Sequence, residues 1–132
     1  MPRAQWPLWR GRPIVEVTLT ESPGGQKVVR RLMADTGAGS QHSGFELLLD
    51  EHDCLLCGAR PVKTVVLGGA YVGSYPAYLL RVEVPTLGFN KALPEVGLPS
   101  PPAAFDGIAC FRFLNRFTFG NFGSQAQFGL ET

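Results

Sequence analysis

The chain lacks a long run of one charge, a pairable set of cysteines and an extended apolar span, and each absence removes a class of function. Twelve Lys and Arg stand against eleven Asp and Glu, for a net charge of +1. The longest basic cluster is Arg30-Arg31, too short to track a line of phosphates, so no nucleic-acid partner is expected. No apolar stretch is long enough for a membrane helix, so no membrane partner is expected either. The opening Met1-Pro2-Arg3-Ala4-Gln5-Trp6-Pro7 has no apolar signal core. Three cysteines are an odd number and give no disulfide framework, which makes a reduced, cytoplasmic setting the expectation. There is no HExxH, no phosphate loop and no Ser-His-Asp order.

What is present is glycine, at 16 residues, and proline, at 11, in a chain of 132. Both disfavour helix interiors, so a turn-rich β protein of one domain is expected. Residues 1–13 form a basic lead with Trp and Pro, either a loose tail or an arm that crosses onto a partner; residues 14–132 form the domain. Residues 14–20 alternate, with Val15, Val17 and Leu19 on one side and Glu16, Thr18 and Thr20 on the other, the pattern of a half-buried strand. Ser22-Pro23-Gly24-Gly25 reads as a turn and residues 27–34 as the returning strand. This hairpin leads straight into Asp35-Thr36-Gly37-Ala38-Gly39-Ser40.

Further on, residues 45–49 fit either a short helix or a strand. Residues 62–67 and 75–84 read as strands around a flexible Gly68-Gly69-Ala70-Tyr71-Val72-Gly73 tip. Residues 85–102 hold five prolines and read as loop. Residues 109–117 carry Cys110, Phe113, Leu114 and Phe117 at helical spacing. Residues 119–130, broken at Gly120-Asn121-Phe122-Gly123, read as a closing hairpin. No repeat is found, and Asp-Thr-Gly occurs once.

Asp-Thr-Gly-Ala after an apolar strand, here Leu32-Met33-Ala34-Asp35-Thr36-Gly37-Ala38, resembles the signature of aspartic proteases. Gly107-Ile108-Ala109-Cys110 followed by Phe113-Leu114 resembles the apolar-apolar-Gly element and helix of retropepsins. Order, spacing and length along residues 14–130 are similar to bacterial retropepsin-like proteins. The resemblance implies a mostly β, closed antiparallel barrel of retropepsin type with one short C-terminal helix. It implies an endopeptidase with Asp35 as one half of a two-aspartate catalytic dyad, and an active-site loop completed by Thr36, Gly37 and Ala38. Gly68, Gly69, Ala70 and Tyr71 become the candidate flap. Gly107, Ile108, Ala109 and Cys110 become the supporting loop. A family Gly falls on Cys110 in this alignment, or on Gly107 if the alignment slips.

Two close carboxylates cannot both ionise easily, so they share a proton; one serves as base toward a water and the other as acid toward the carbonyl. A chain with one Asp35 therefore needs a two-fold homodimer, with a peptide threaded between the subunits and no metal or organic cofactor. Terminal segments, the arm and residues 128–132, would join in an intersubunit sheet, as in viral relatives.

Two rival readings stand beside it. One is the same fold as a silent dimerisation or peptide-binding module. The other is a small zinc protein on the Cys54-Leu55-Leu56-Cys57 pair, with His52, His42 or Cys110 as further ligands. Without such ligands Cys54 and Cys57 are buried or loop thiols, and His42 and His52 are surface residues. Arg112 and Arg116 are expected in solvent or at a dimer edge.

Overall fold

The computed structural model describes residues 2–20, 26–102 and 104–132. The expected turn at Ser22-Pro23-Gly24-Gly25 lies outside the described residues. Ten strands and two short helices are described: β1 (Arg3–Pro7), β2 (Ile14–Thr20), β3 (Val28–Ala34), β4 (Leu47–Asp50), α1 (Glu51–Leu56), β5 (Lys63–Leu67), β6 (Gly73–Val84), β7 (Phe89–Leu98), β8 (Gly107–Ala109), α2 (Phe111–Leu114), β9 (Thr118–Gly120) and β10 (Gln127–Glu131). The larger sheet runs β2-β3-β8-β4-β7-β6-β5, and β2 pairs again with β6. Those pairings close a barrel, with β5 attached outside it along β6.

The mostly β, closed barrel is the expected architecture. Two of its pairings are parallel, β3 with β8 and β4 with β7, so the barrel is mixed. The cause is topological: β8 returns late in the chain and threads between β3 and β4. The alternation read in β2 holds over its middle, with Val15, Val17 and Leu19 each at most 1% exposed and Glu16 and Thr18 half-buried, but Thr20, expected on the outward face, is buried too. Val15, Val17 and Leu19 join Leu32, Leu47, Leu49, Tyr78, Leu80 and Phe113 in the main core. Each such Leu contributes about 2 kcal/mol by leaving water.

Two expectations need correction, and one open choice is settled. Residues 85–102 are not loop: ten of them form β7, whose Pro94 sits opposite Leu79 of β6. The Pro94 carbonyl accepts from Glu46 N–H at 2.9 Å, on the side where β4 runs. The β4 register begins one residue later, at Leu47 opposite Glu95, so the missing proline N–H falls where no strand lies opposite. Residues 45–49 resolve as β4, and a helix follows it, capped by Asp50 accepting from His52 N–H at 2.9 Å. The C-terminal helix is therefore the second of two.

The lead is also no loose tail. Its β1 pairs with β10 of the same chain, from Arg3 opposite Glu131 to Pro7 opposite Gln127. Ala4 is buried, and Arg3 pairs with Glu131 at 2.8 Å while stacking on Phe122. The closing hairpin is observed as β9 with β10, which makes a three-stranded sheet, β1-β10-β9.

Candidate active site

β3 delivers Asp35 to the end of the barrel. Leu32, Met33 and Ala34 pair with Gly107, Ile108 and Ala109, and Asp35 N–H donates to the Ala109 carbonyl at 3.0 Å. The chain then turns sharply. Ala38 N–H donates to the Asp35 carbonyl at 3.2 Å, and Gly37 N–H donates to Asp35 Oδ1 at 2.9 Å. A Cβ on Gly37 would lie 3.3 Å from Asp35 Oδ1, a tight approach that glycine avoids. Thr36 is exposed, and its side chain makes no hydrogen bond within the described residues. Ala38 is held from the other side, its carbonyl accepting from Phe111 N–H of α2 at 2.9 Å. The Asp35 loop and the candidate supporting loop are thus one hydrogen-bonded unit.

The supporting loop is wholly buried, with Gly107, Ile108, Ala109 and Cys110 all in the interior. Gly107 is the sterically required glycine, since a Cβ there would run into the Leu48 carbonyl oxygen. Cys110 N–H donates to the Glu46 carbonyl at 3.0 Å. Burial pushes the Cys110 thiol up to about 12, and the nearby negative charge of Asp35 adds to the shift. Cys110 therefore stays a neutral thiol that fills space beneath the loop.

Above the loop, β5 and β6 form a hairpin whose tip is a single 3-10 turn, Gly69–Tyr71. Asp35, Gly37, Ala38, Gly39, Phe45, Leu48, Val66, Leu67, Gly68, Gly69, Ala70 and Tyr71 surround a cleft of about 360 Å³. The four candidate flap residues thus roof the cavity that Asp35 borders. Burial raises the Tyr71 phenol above its ordinary range, and the Asp35 charge raises it further. A smaller apolar cluster joins floor to roof: Leu48, Ile108 and Cys110 from below, Leu67 and Tyr71 from above. Among the described residues around this cleft, Asp35 is the one carboxylate.

Phe45, Leu48 and Val66 were not foreseen as cleft walls. Their apolar character pointed only to some buried face, and the return of the hairpin over β4 decides which. Glu46 was also missed. It is fully buried and takes a two-pronged pair from Arg116, Nε to Oε1 at 2.6 Å and Nη2 to Oε2 at 2.7 Å. Arg112 lies 3.9 Å from the same carboxylate and donates from Nη1 to the Ser43 carbonyl at 2.7 Å. Both arginines, expected in solvent or at a dimer edge, have partners within their own chain. A lone Glu before an apolar run carries no sequence signal of this role.

The cysteine pair does not build a metal centre with its neighbours. Cys54 and Cys57 are free and buried in and just after α1, and His42 and His52 are exposed. Among the described residues no three His, Cys, Asp or Glu side chains gather to hold a metal ion. Nor is any described helix long and apolar enough to cross a membrane.

No protein-family model and no curated protein matches the chain. The fold does have a solved counterpart, a retropepsin-like aspartic protease from Rickettsia conorii. It superposes with a TM-score of 0.64 at 16% sequence identity, over 97% of this chain and 89% of that one. At that identity the likeness is one of fold.

Proposed function

We propose that this chain is half of an aspartic endopeptidase, completed when two copies bring their Asp35 side chains together on a two-fold axis. One observation carries the reading: a single carboxylate, Asp35, borders a cleft that a glycine-rich hairpin roofs. The other acid of a dyad has no source within this cleft. The exposed Thr36 and Gly37 leave the turn open to an identical turn. Paired, the two carboxylates hold one proton and one water. The ionised partner takes the proton of the attacking water, and the protonated partner donates to the carbonyl oxygen of the scissile bond. An extended peptide lies between the Gly37 loop and the Gly68–Tyr71 roof by strand-like pairing, its apolar side chains against Phe45, Leu48 and Val66. The likeness of fold to a retropepsin-like aspartic protease supports the same reading.

The termini do not complete an intersubunit sheet by insertion at β10, since β1 and β9 occupy both of its edges. Such a sheet uses the outer edge of β1 or of β9.

Cleavage of a mixed peptide pool by the dimer, with Asp35→Asn as comparison, tests the proposal. Loss of turnover by about a thousandfold or more in the variant, with an unchanged thermal midpoint, is the expected result. Equal turnover by the two proteins would remove Asp35 from the mechanism. Peptide binding without turnover in the wild-type dimer would leave a silent binding module.

A further inference from the structure

The loop between Asp35 and β4 borders two cavities. Gly39 lines the cleft, while Gln41 and His42 line a second cavity of about 360 Å³, together with Arg112, Asn115 and Arg116. Glu46 offsets one of the two guanidinium charges, and it is itself fully buried. The other positive charge is left over. Arg112 and Arg116 keep 37% and 30% of their side chains open to solvent. Their pairs use Nη1 of Arg112 and Nε and Nη2 of Arg116, so Arg112 Nη2 and Arg116 Nη1 have no hydrogen-bond partner among the described residues. Glu46 and the Ser43 carbonyl hold both planar groups in place, which lowers the entropy lost when an anion binds.

We propose that this cavity is a carboxylate-binding subsite that takes an acidic side chain of the peptide held in the cleft, an assignment that rests on the endopeptidase reading. A shared loop makes the two sites neighbours, and an extended peptide advances about 3.3 Å per residue, so an acid a few positions from the cut bond reaches it. The free guanidinium N–H groups donate to the carboxylate oxygens, and the Asn115 and Gln41 amides add neutral donors. A second copy of the chain is the poorer source of the acid. Every Asp and Glu side chain among the described residues already has a partner in its own chain: Glu16, Asp35, Glu46, Asp50, Glu51, Asp53, Glu83, Glu95, Asp106 and Glu131.

Nuclear magnetic resonance on the full chain, titrated with N-acetylglutamate methylamide and separately with its glutamine counterpart, reads the site without catalysis. The glutamate compound should shift Arg112 Nε–H, the Asn115 amide and the His42 ring, and the glutamine compound should not. Arg112→Gln should abolish the response, and Asn115→Ala, an exposed position, should weaken it in a chain whose fold is undisturbed. In cleavage assays, replacing a flanking Glu of the peptide by Gln should lower kcat/KM about tenfold for the wild type and leave Arg112→Gln indifferent. Absence of any cleavage would sink the endopeptidase and leave the titration to judge the anion site. Equal response to both compounds, or a response that survives Arg112→Gln, overturns the proposal. So do shifts at Arg112 that track protein concentration with no compound added, because the cavity then belongs to a dimer contact.

Discussion

β8 and the β5–β6 hairpin border the same cleft, one beneath Asp35 and one above it, and they are held in different ways. Ile108 and Ala109 of β8 are 1% and 0% exposed, and β8 is paired on both edges, by β3 and by β4. In the hairpin Val66 and Val72 are 77% and 74% exposed, and β5 is paired on one edge only, by β6. The floor is locked by packing and hydrogen bonds that cannot be lost singly. The roof meets the floor only through the smaller apolar cluster at Leu67 and Tyr71 and has a free edge at β5, so it opens at lower cost than the floor. On the proposed reading, a cleft that admits a polypeptide and still fixes a carboxylate needs both behaviours.

The contrast can be broken by mutation, and the largest effect belongs to the floor. Gly107→Ala places a methyl group against the Leu48 backbone and should cost about 3 kcal/mol, read as a lower urea midpoint. A loss below about 1 kcal/mol would show that the floor yields.

Next comes a buried acid in the barrel wall. Glu95 is fully buried; its Oε2 accepts from Leu80 N–H at 3.0 Å, and its Oε1 has no hydrogen-bond partner among the described residues. Burial holds its carboxyl protonated well above the ordinary range, with the Leu80 N–H pulling the other way. The folded chain thus keeps a proton that the unfolded chain releases near pH ~4.3. Stability from this group is full below that pH and lost as pH rises toward the folded pKa. Relative to Glu95→Gln, which does not titrate, the wild type should weaken by about 1.4 kcal/mol per pH unit across that window. Parallel pH profiles of the two proteins would mean that Glu95 is solvated in solution.

The smallest effect on stability should come from the roof. Val66→Ser changes an exposed position and should move the unfolding free energy by no more than about 0.5 kcal/mol. The same residue lines the cleft, so KM for an apolar peptide should rise several-fold while the thermal midpoint holds. A falling midpoint would instead make the hairpin part of the core.

Several elements are legible in the sequence itself. The bounds of residues 14–20 match β2 to the residue, and the alternation holds from Val15 to Leu19, but Ile14 and Thr20 at its two ends are buried as well. Cys110, Phe113, Leu114 and Phe117 are all buried, as their spacing implies, although the helix itself covers only Phe111–Leu114. β7 is hidden because Pro94 is a strand breaker by composition, and only the late start of β4 beside it makes it harmless. β1 is hidden because a short basic segment with two nearby prolines has no pattern apart from its partner β10.

Local order along the chain was enough to set β2, β3 and the turn that carries the acid, since alternation and backbone sterics act over a few residues. The company that acid keeps was decided by closure of the barrel, which threads β8 beneath it, folds the hairpin over it and buries Glu46 against Arg116. Those contacts join residues far apart in the chain, 70 positions for Glu46 and Arg116, and no short-range pattern encodes which of many apolar or charged side chains will meet.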